Sequence, residues 1–321
     1  MEYITLRNSS LRVSRLCMGG CPMGGYGWGE VQQEQLLAAV HTAIDAGVTF
    51  FDTADTYGLG QSERTLAQAL GGKRKDVVIA SKFGVCVENG RTFYDNSPAY
   101  IERALHDSLE RLQTDYIDLY QVHYRDGVTP LEAVVEKLEA CKRQGKIRAY
   151  GLSNVFEKDL AELREFAGCF SSFQDEYSLA CRSHEADIRT LADELKLTPM
   201  TWGSLGQGIL TGKYDRNCSF SANDRRSRAI YVNFHGEKLE KNLRIVEVLR
   251  EIAEAHATTP AAAAIRFILD YLPQSVVLVG AKRPEQIAGN VEAMRFSLDA
   301  QELAALERVS GEDAGEEQEK A

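Results

Sequence analysis

Val48-Thr49-Phe50-Phe51-Asp52-Thr53-Ala54-Asp55-Thr56-Tyr57-Gly58 begins as an apolar β-strand, places a carboxylate where the strand should end, and adds a phenol a few residues beyond. Polar chemistry at the C-terminal mouth of a buried strand is how α/β enzymes display reactive groups. Two later stretches repeat the pattern. Val77-Val78-Ile79-Ala80-Ser81 runs into Lys82, and Tyr116-Ile117-Asp118-Leu119-Tyr120-Gln121-Val122 runs into His123. An Asp, a Tyr, a Lys and a His delivered by consecutive strands form one chemical hypothesis rather than four.

Around this stretch the chain has a regular rhythm. Residues 3–13 read as a hairpin with Asn8-Ser9-Ser10 as its turn. Apolar strands then alternate with helical patterns. Strands are expected near 15–19, 48–53, 77–82, 116–122, 147–152, 172–177, 198–203 and 275–280. Helices are expected near 32–46, 62–70, 98–112, 131–144, 157–167, 185–196, 260–271 and 284–294. Ser97-Pro98 supplies an N-cap and a first-turn proline, and Gly47, Gly71 and Gly145 follow helix ends.

Such a series of βα units predicts a (β/α)8 TIM barrel, with a doubly wound sheet as its competitor. A doubly wound sheet concentrates its site at one switch point, whereas these residues come from three successive strands. No Gly-x-Gly-x-x-Gly follows the first strand, Gly212-Lys213 lacks the rest of a P-loop, and Ser204 has the wrong spacing for a nucleophile elbow. The rhythm breaks after the seventh strand, at about 206–256. A Gly-rich run there leads into a polar loop with Arg225, Arg226 and Arg228, then an extra helix around 237–256. A long insertion at a barrel mouth reads as a lid or binding loop. One barrel domain is expected over 1–309, followed by an acidic, apolar-poor tail over 310–321 that reads as disordered.

The 321 residues are 44% hydrophobic and 26% charged, the profile of a globular chain, and the net charge of -10 argues against nucleic acid or anionic membrane as partner. No apolar run reaches the ~20 residues of a membrane helix, and the N-terminus lacks a signal-peptide pattern. Seven scattered cysteines without a Cys-x-x-Cys pair read as reduced thiols in a cytoplasmic protein. Six histidines without ligand spacing predict no metal.

A lysine drawn to a low-dielectric barrel mouth needs a carboxylate, and Asp52 on the neighbouring strand is the natural partner for Lys82. Alone, that pair reads as a structural cap. Tyr57 changes the reading. A phenol is a poor acid at neutral pH until a cation stabilises its phenolate, and Lys82 supplies that charge. Tyr57 then suits an alcohol/carbonyl interconversion as proton donor or acceptor, with His123 donating a hydrogen bond to the carbonyl oxygen.

Phe51-Asp52-Thr53-Ala54-Asp55-Thr56-Tyr57-Gly58, Ala80-Ser81-Lys82-Phe83-Gly84 and Asp118-Leu119-Tyr120-Gln121-Val122-His123 resemble the tetrad motifs of the aldo-keto reductase superfamily. So do Gly151-Leu152-Ser153-Asn154, Phe173-Gln174-Asp175-Glu176-Tyr177 and Gly280-Ala281-Lys282-Arg283-Pro284-Glu285-Gln286, in order and in register to about residue 295. The resemblance implies a (β/α)8 barrel that binds NADPH (NADP+) without a Rossmann domain. It implies Tyr57 as general acid/base, tuned by Lys82 and Asp52, with His123 orienting a small carbonyl or alcohol substrate. It implies that Ser153, Asn154 and Gln174 hold the nicotinamide carboxamide beside Gly20 and Asp52. Trp202 is placed to stack on the nicotinamide, against the alternative of a core aromatic.

Gly203, Ser204, Leu205, Gly206, Gln207, Gly208 and Gly212 would approach the pyrophosphate, and Lys213 and the Arg225–Arg228 loop either fold over it or stay solvated. Gly280, Ala281, Lys282, Arg283, Gln286 and Asn290 would form the 2′-phosphate end. Two adjacent cations there favour NADPH over NADH, although this chain has Gly280-Ala281 where better-known branches have Lys-Ser. Trp28, Tyr57, Phe83, His123 and Tyr124, with the loop at about 85–96, are the expected substrate walls, and Arg125 hints at a polar or anionic substrate or pairs with Asp126.

Thr201-Trp202, Leu205, Gly208-Ile209 and Gly212-Lys213-Tyr214 are similar to the potassium-channel β-subunit branch. That likeness sets a redox-sensing regulatory subunit as the rival to a reductase.

Overall fold

The computed structural model describes residues 1–25 and 27–311. The expected acidic tail lies, beyond Gly311, outside the described residues. Eight strands close into a barrel: β1 (Leu16–Gly19), β2 (Phe50–Asp52), β3 (Val78–Phe83), β4 (Ile117–Val122), β5 (Ile147–Ser153), β6 (Ser172–Glu176), β7 (Thr198–Trp202) and β8 (Val276–Gly280). Neighbours in this order pair in parallel, and β8 returns to β1 through Gly280↔Gly19. The expected barrel is the observed one.

Alternation along each strand sorts side chains between two cores. Cys17, Phe50, Ala80, Leu119, Ala149, Met200 and Val276 fill the interior, while Phe51, Ile79, Phe83, Tyr120 and Val122 pack outward with the helices. The hairpin of Tyr3–Thr5 and Arg12–Ser14, with Asn8 in the left-handed region at its turn, adds Leu6, Leu11 and Val13 to the interior cluster. It plugs the N-terminal end, where Arg7 N donates to Thr198 Oγ1 and Ser14 Oγ accepts from Thr49 N. The opposite end is left for polar residues two positions further along the same strands. Asp52 follows Phe50, Lys82 follows Ala80, Gln121 follows Leu119, and Trp202 follows Met200.

Local signals account for the helices. Ser97 Oγ accepts from Tyr100 N to open Pro98–Leu112, and Thr259 does the same through Ala262 N for Pro260–Tyr271. The structure departs from expectation in three places. The 157–167 helix is a broken run of 3₁₀ turns around Leu160–Leu163. A final helix, Ala300–Ser310, passes the assigned boundary by one residue, opened by an Asp299–Glu302 capping box. The β3 loop is a second hairpin, Val85–Glu88 with Arg91–Tyr94. Asn89-Gly90, both at positive φ, makes its turn. The expected helix near 237–256 is Gly236–Ala255. Among the described residues no helix is long and apolar enough to cross a membrane.

Candidate active site

Lys82 ends the inward row of β3 with its side chain wholly buried. Its Nζ donates to Asp52 Oδ1 at 2.5 Å, to Thr53 O at 3.1 Å and to Tyr57 OH at 3.3 Å. Burial by itself lowers its pKa, but Asp52 and Tyr57 outweigh it and hold the ammonium above its usual value. For Tyr57 burial is the largest influence and raises the pKa. Lys82 opposes it without winning, because Asp52 offsets much of the lysine charge. The sequence led to the expectation of a phenol made more acidic. The structure holds a protonated phenol beside a protonated lysine, an acid poised to give its proton.

His123 follows β4, its backbone N bonded to Phe83 O at 2.8 Å. Its ring meets Tyr57 edge-on at 5.9 Å and stacks on Tyr124 at 5.2 Å. Burial, helped by Lys82, pushes its pKa well below the ordinary value, so the imidazole is neutral, and its buried Nδ1 has no partner among the described residues. A neutral imidazole can donate to a carbonyl oxygen without adding charge.

Tyr57 and His123 open into a cavity of about 960 Å³. Trp28, Tyr124, Asp52, Ser153, Asn154, Gln174 and Trp202 line it. So do Gly203, Ser204, Leu205, Gln207, Gly208, Lys213, Gly280, Lys282, Arg283, Gln286 and Asn290. Most of the expected site residues are therefore brought to one surface, and several do more than line it. Ser153 Oγ donates to Gln174 O at 2.9 Å, and Gln174 Nε2 to Asp52 Oδ2 at 3.0 Å. Asn154, in the left-handed region, reaches His123 O at 2.9 Å. Trp202 both lines the cavity and packs on the interior cluster, so the two readings of it are compatible.

Other expected residues serve the walls. Lys82 lies behind Tyr57. Gly20 is packed where a Cβ would meet Ser62 Oγ at 2.7 Å, and Gly206 where it would meet Ala180 at 2.8 Å. Gly212 closes the Gly206–Thr211 turn, its carbonyl accepting from Arg250 at 2.6 Å. Ala281 is buried in the outer core, and Ser204 Oγ donates inward to Thr201 O. Gln286 caps its own helix, accepting from Lys282 N at 2.7 Å and Arg283 N at 3.2 Å. Lys282 Nζ crosses the mouth to Trp28 O at 2.6 Å and Glu30 O at 3.3 Å.

The Arg225–Arg228 loop folds over the mouth. Arg225 N bonds Gly27 O at 3.1 Å, its guanidinium lies over Trp28 at 5.2 Å, and Arg226 is held by Asp224 and by Tyr214 OH at 2.5 Å.

Two expectations need correction. Phe83 is not a substrate wall. It is fully buried and stacks on Tyr120 at 4.8 Å, because it follows inward Lys82 and must point outward. Arg125 pairs with Glu162 at 3.0 Å and Thr129 O at 3.0 Å rather than with Asp126. Two residues of the site went unread. Gln121 Nε2 reaches Asp52 Oδ2 at 3.3 Å, and its position two before His123 was the available signal. Cys21 lines the cavity and accepts from Trp28 Nε1 at 3.3 Å. Tyr94, on the loop at about 85–96 expected beside the substrate, stacks on Tyr124 at 5.2 Å.

Known proteins share this arrangement. The profile of the Aldo/keto reductase family matches residues 15–310. The aldo-keto reductase YhdN of Bacillus subtilis is 32% identical over 96% of this chain and 93% of its own. The aldo-keto reductase yakc [NADP(+)] of Schizosaccharomyces pombe is 34% identical over 88% and 83%. Among solved structures, a glycerol dehydrogenase from Gluconobacter oxydans superposes with a TM-score of 0.86 at 31% identity, covering 96% of this chain and 94% of that one. An aldo-keto reductase from Klebsiella pneumoniae in complex with NADPH gives 0.75 at 28%, covering 97% and 96%. With the barrel, the buried Asp–Lys–Tyr contact and a profile match across nearly the whole chain, this protein belongs to the aldo/keto reductase family.

Proposed function

We propose that the chain is an NADPH-dependent reductase of an uncharged aldehyde or ketone, running also in reverse as an alcohol dehydrogenase. The observation that carries this is Lys82 Nζ held between Asp52 Oδ1 and Tyr57 OH, with the phenol opening into the cavity beside a neutral His123. The cavity suits a dinucleotide phosphate on two grounds. The buried Ser153 hydroxyl and Gln174 amide and the half-buried Asn154 amide line it, and so do cationic Lys213, Arg226, Lys282 and Arg283. The names of the fission-yeast relative and the Klebsiella complex point the same way. When bound, NADPH supplies the hydride.

Ser153, Asn154 and Gln174 would hold the carboxamide, and Lys282 with Arg283 the 2′-phosphate. Tyr57 gives its proton to the substrate oxygen, Lys82 stabilises the phenolate that remains, and His123 orients that oxygen. The aromatic walls Trp28 and Tyr124, with Arg125 turned away to Glu162, support an uncharged substrate. Seven unbridged cysteines support the cytoplasmic reading.

The test follows the loss of NADPH absorbance with a panel of carbonyls, comparing wild type with Tyr57→Phe. Turnover on at least one carbonyl is expected. The variant should lose about 10²–10⁴ in kcat with NADPH binding retained. Tight binding without turnover would instead favour a redox-sensing regulatory subunit, and no binding at all would sink the cofactor assignment.

A further inference from the structure

Asp52 divides its partners between its two oxygens. Oδ1 takes Lys82 at 2.5 Å, and Oδ2 takes the amides of Gln174 at 3.0 Å and Gln121 at 3.3 Å. The two amides differ in what else they meet. Gln174 lines the cavity, so what the cavity holds competes for it. Gln121 is fully buried behind the cavity, and its own Oε1 has no partner among the described residues. A buried, unpaired amide carbonyl is unfavourable, and Leu119, two residues earlier in the same row, shows that an apolar side chain packs there without that loss. Across the strand pair, Gln121 faces Gly151, where an added Cβ would meet Ser172 Oγ at 2.5 Å and Ser172 O at 3.0 Å before touching Gln121 Cγ at 3.4 Å.

We propose that Gln121 is a positioning residue of the proton-transfer centre, holding the Asp52 carboxylate turned so that Lys82 stays between that carboxylate and the Tyr57 hydroxyl. The inference rests on the reductase reading above and deepens it. Without the second amide, the carboxylate can rotate towards a two-oxygen grip on the ammonium. Lys82 is then drawn away from Tyr57, and the phenolate loses part of the positive charge that stabilises it. The titratable groups facing this centre are Asp52 and Tyr57 from β2 and its loop, Lys82 from β3, His123 from β4, Cys17 from β1, and Cys21 from the loop after β1.

Two variants test it. Gln121→Leu removes the donor but keeps the bulk. The ligand-free variant should melt no lower than wild type. Its kcat should fall about tenfold, the scale of one lost charge-assisted hydrogen bond. Alcohol oxidation, which needs Tyr57 ionised, should reach half its maximal rate at a higher pH than in wild type. In Gln121→Glu, an acid O–H replaces the amide donor. It should match wild type at acid pH and lose activity through an ionisation that wild type lacks.

Unchanged kcat and pH profile in Gln121→Leu would overturn the proposal, as would a Gln121→Glu profile that superimposes on wild type. If the leucine variant does not fold, the near-isosteric glutamate decides alone. A wild type without turnover on any carbonyl would remove both this role and the reductase reading. Turnover with unaffected variants would remove this role only.

Discussion

Two places in the barrel wall combine a buried carboxylate, a cation and a tyrosine. At the start of β4, Asp118 pairs with Arg74 at 2.9 Å and Arg148 at 3.1 Å, and the two guanidinium groups flank the Tyr116 ring at 4.3 and 3.9 Å. At the end of β2, Asp52 pairs with Lys82, which meets Tyr57. The outer cluster is open to water through Arg148, whose side chain is 53% exposed, and its cations hold the tyrosine by the face of the ring. In the inner cluster the lysine is 0% exposed, and although it too lies 5.0 Å from the ring centroid, it also donates to the hydroxyl of a tyrosine that lines a cavity. Residue types alone do not make a proton-transfer site. Dryness, and the end of the phenol that the cation touches, do.

The largest test of this contrast is Lys82→Met. It removes the cation that stabilises the phenolate, and a loss of about 10²–10⁴ in kcat is expected. It also leaves Asp52 buried with two amides and no cation, a loss of stability of about 3–5 kcal/mol. Steady-state turnover, normalised to NADPH binding, together with thermal melting would separate the two effects. Retained turnover would mean that the inner cluster is as structural as the outer one.

Arg74→Met is the counterpart. Arg74 also donates to Thr114 Oγ1, Val77 O and Tyr116 O. Its removal should destabilise by about 2–4 kcal/mol, since Asp118 keeps Arg148 and the backbone N of Ile79. No change in kcat at a temperature where the protein is folded is expected. A fall in kcat would erase the distinction between the clusters.

These clusters also show what a sequence can disclose. Apolar runs ending in Asp52, Lys82 and His123 made the strands and the tetrad readable, because both depend on local pattern. Phe83 was misplaced and Gln121 passed over for want of strict alternation, which puts Gln121 inward with Lys82 and turns Phe83 out. Asn89-Gly90 was a readable hairpin signal between alternating residues. The reach of Lys82 to Tyr57 is legible as a possibility, but the balance of burial against charge is not, since it depends on the packed surroundings. Lys282 meeting Trp28, 254 residues apart, has no local trace at all.

Asp55 sharpens the comparison at the smallest scale, as a carboxylate with its Oδ1 buried and, among the described residues, no cation in contact. Among those residues its Oδ1 is also unpartnered, Tyr100 OH donates weakly to Oδ2 at 3.4 Å, and nearby Arg111 is taken by Glu63 at 2.6 Å. Burial, then the Glu63 charge, raises its pKa from 3.8 to about 7. The folded state therefore binds a proton that the unfolded chain has released. This contribution to stability is fully present below the unfolded pKa and declines as pH rises towards the folded value, unlike that of a cation-paired carboxylate. Asp175, also raised to about 7 by burial, acts in the same sense. Wild type is expected to lose melting temperature between pH 5 and pH 8. Asp55→Asn should lose less by about 2–4 °C, the remaining slope belonging partly to Asp175. Equal slopes would mean that Asp55 is ionised in the folded protein, and that Arg111 serves it as Lys82 serves Asp52.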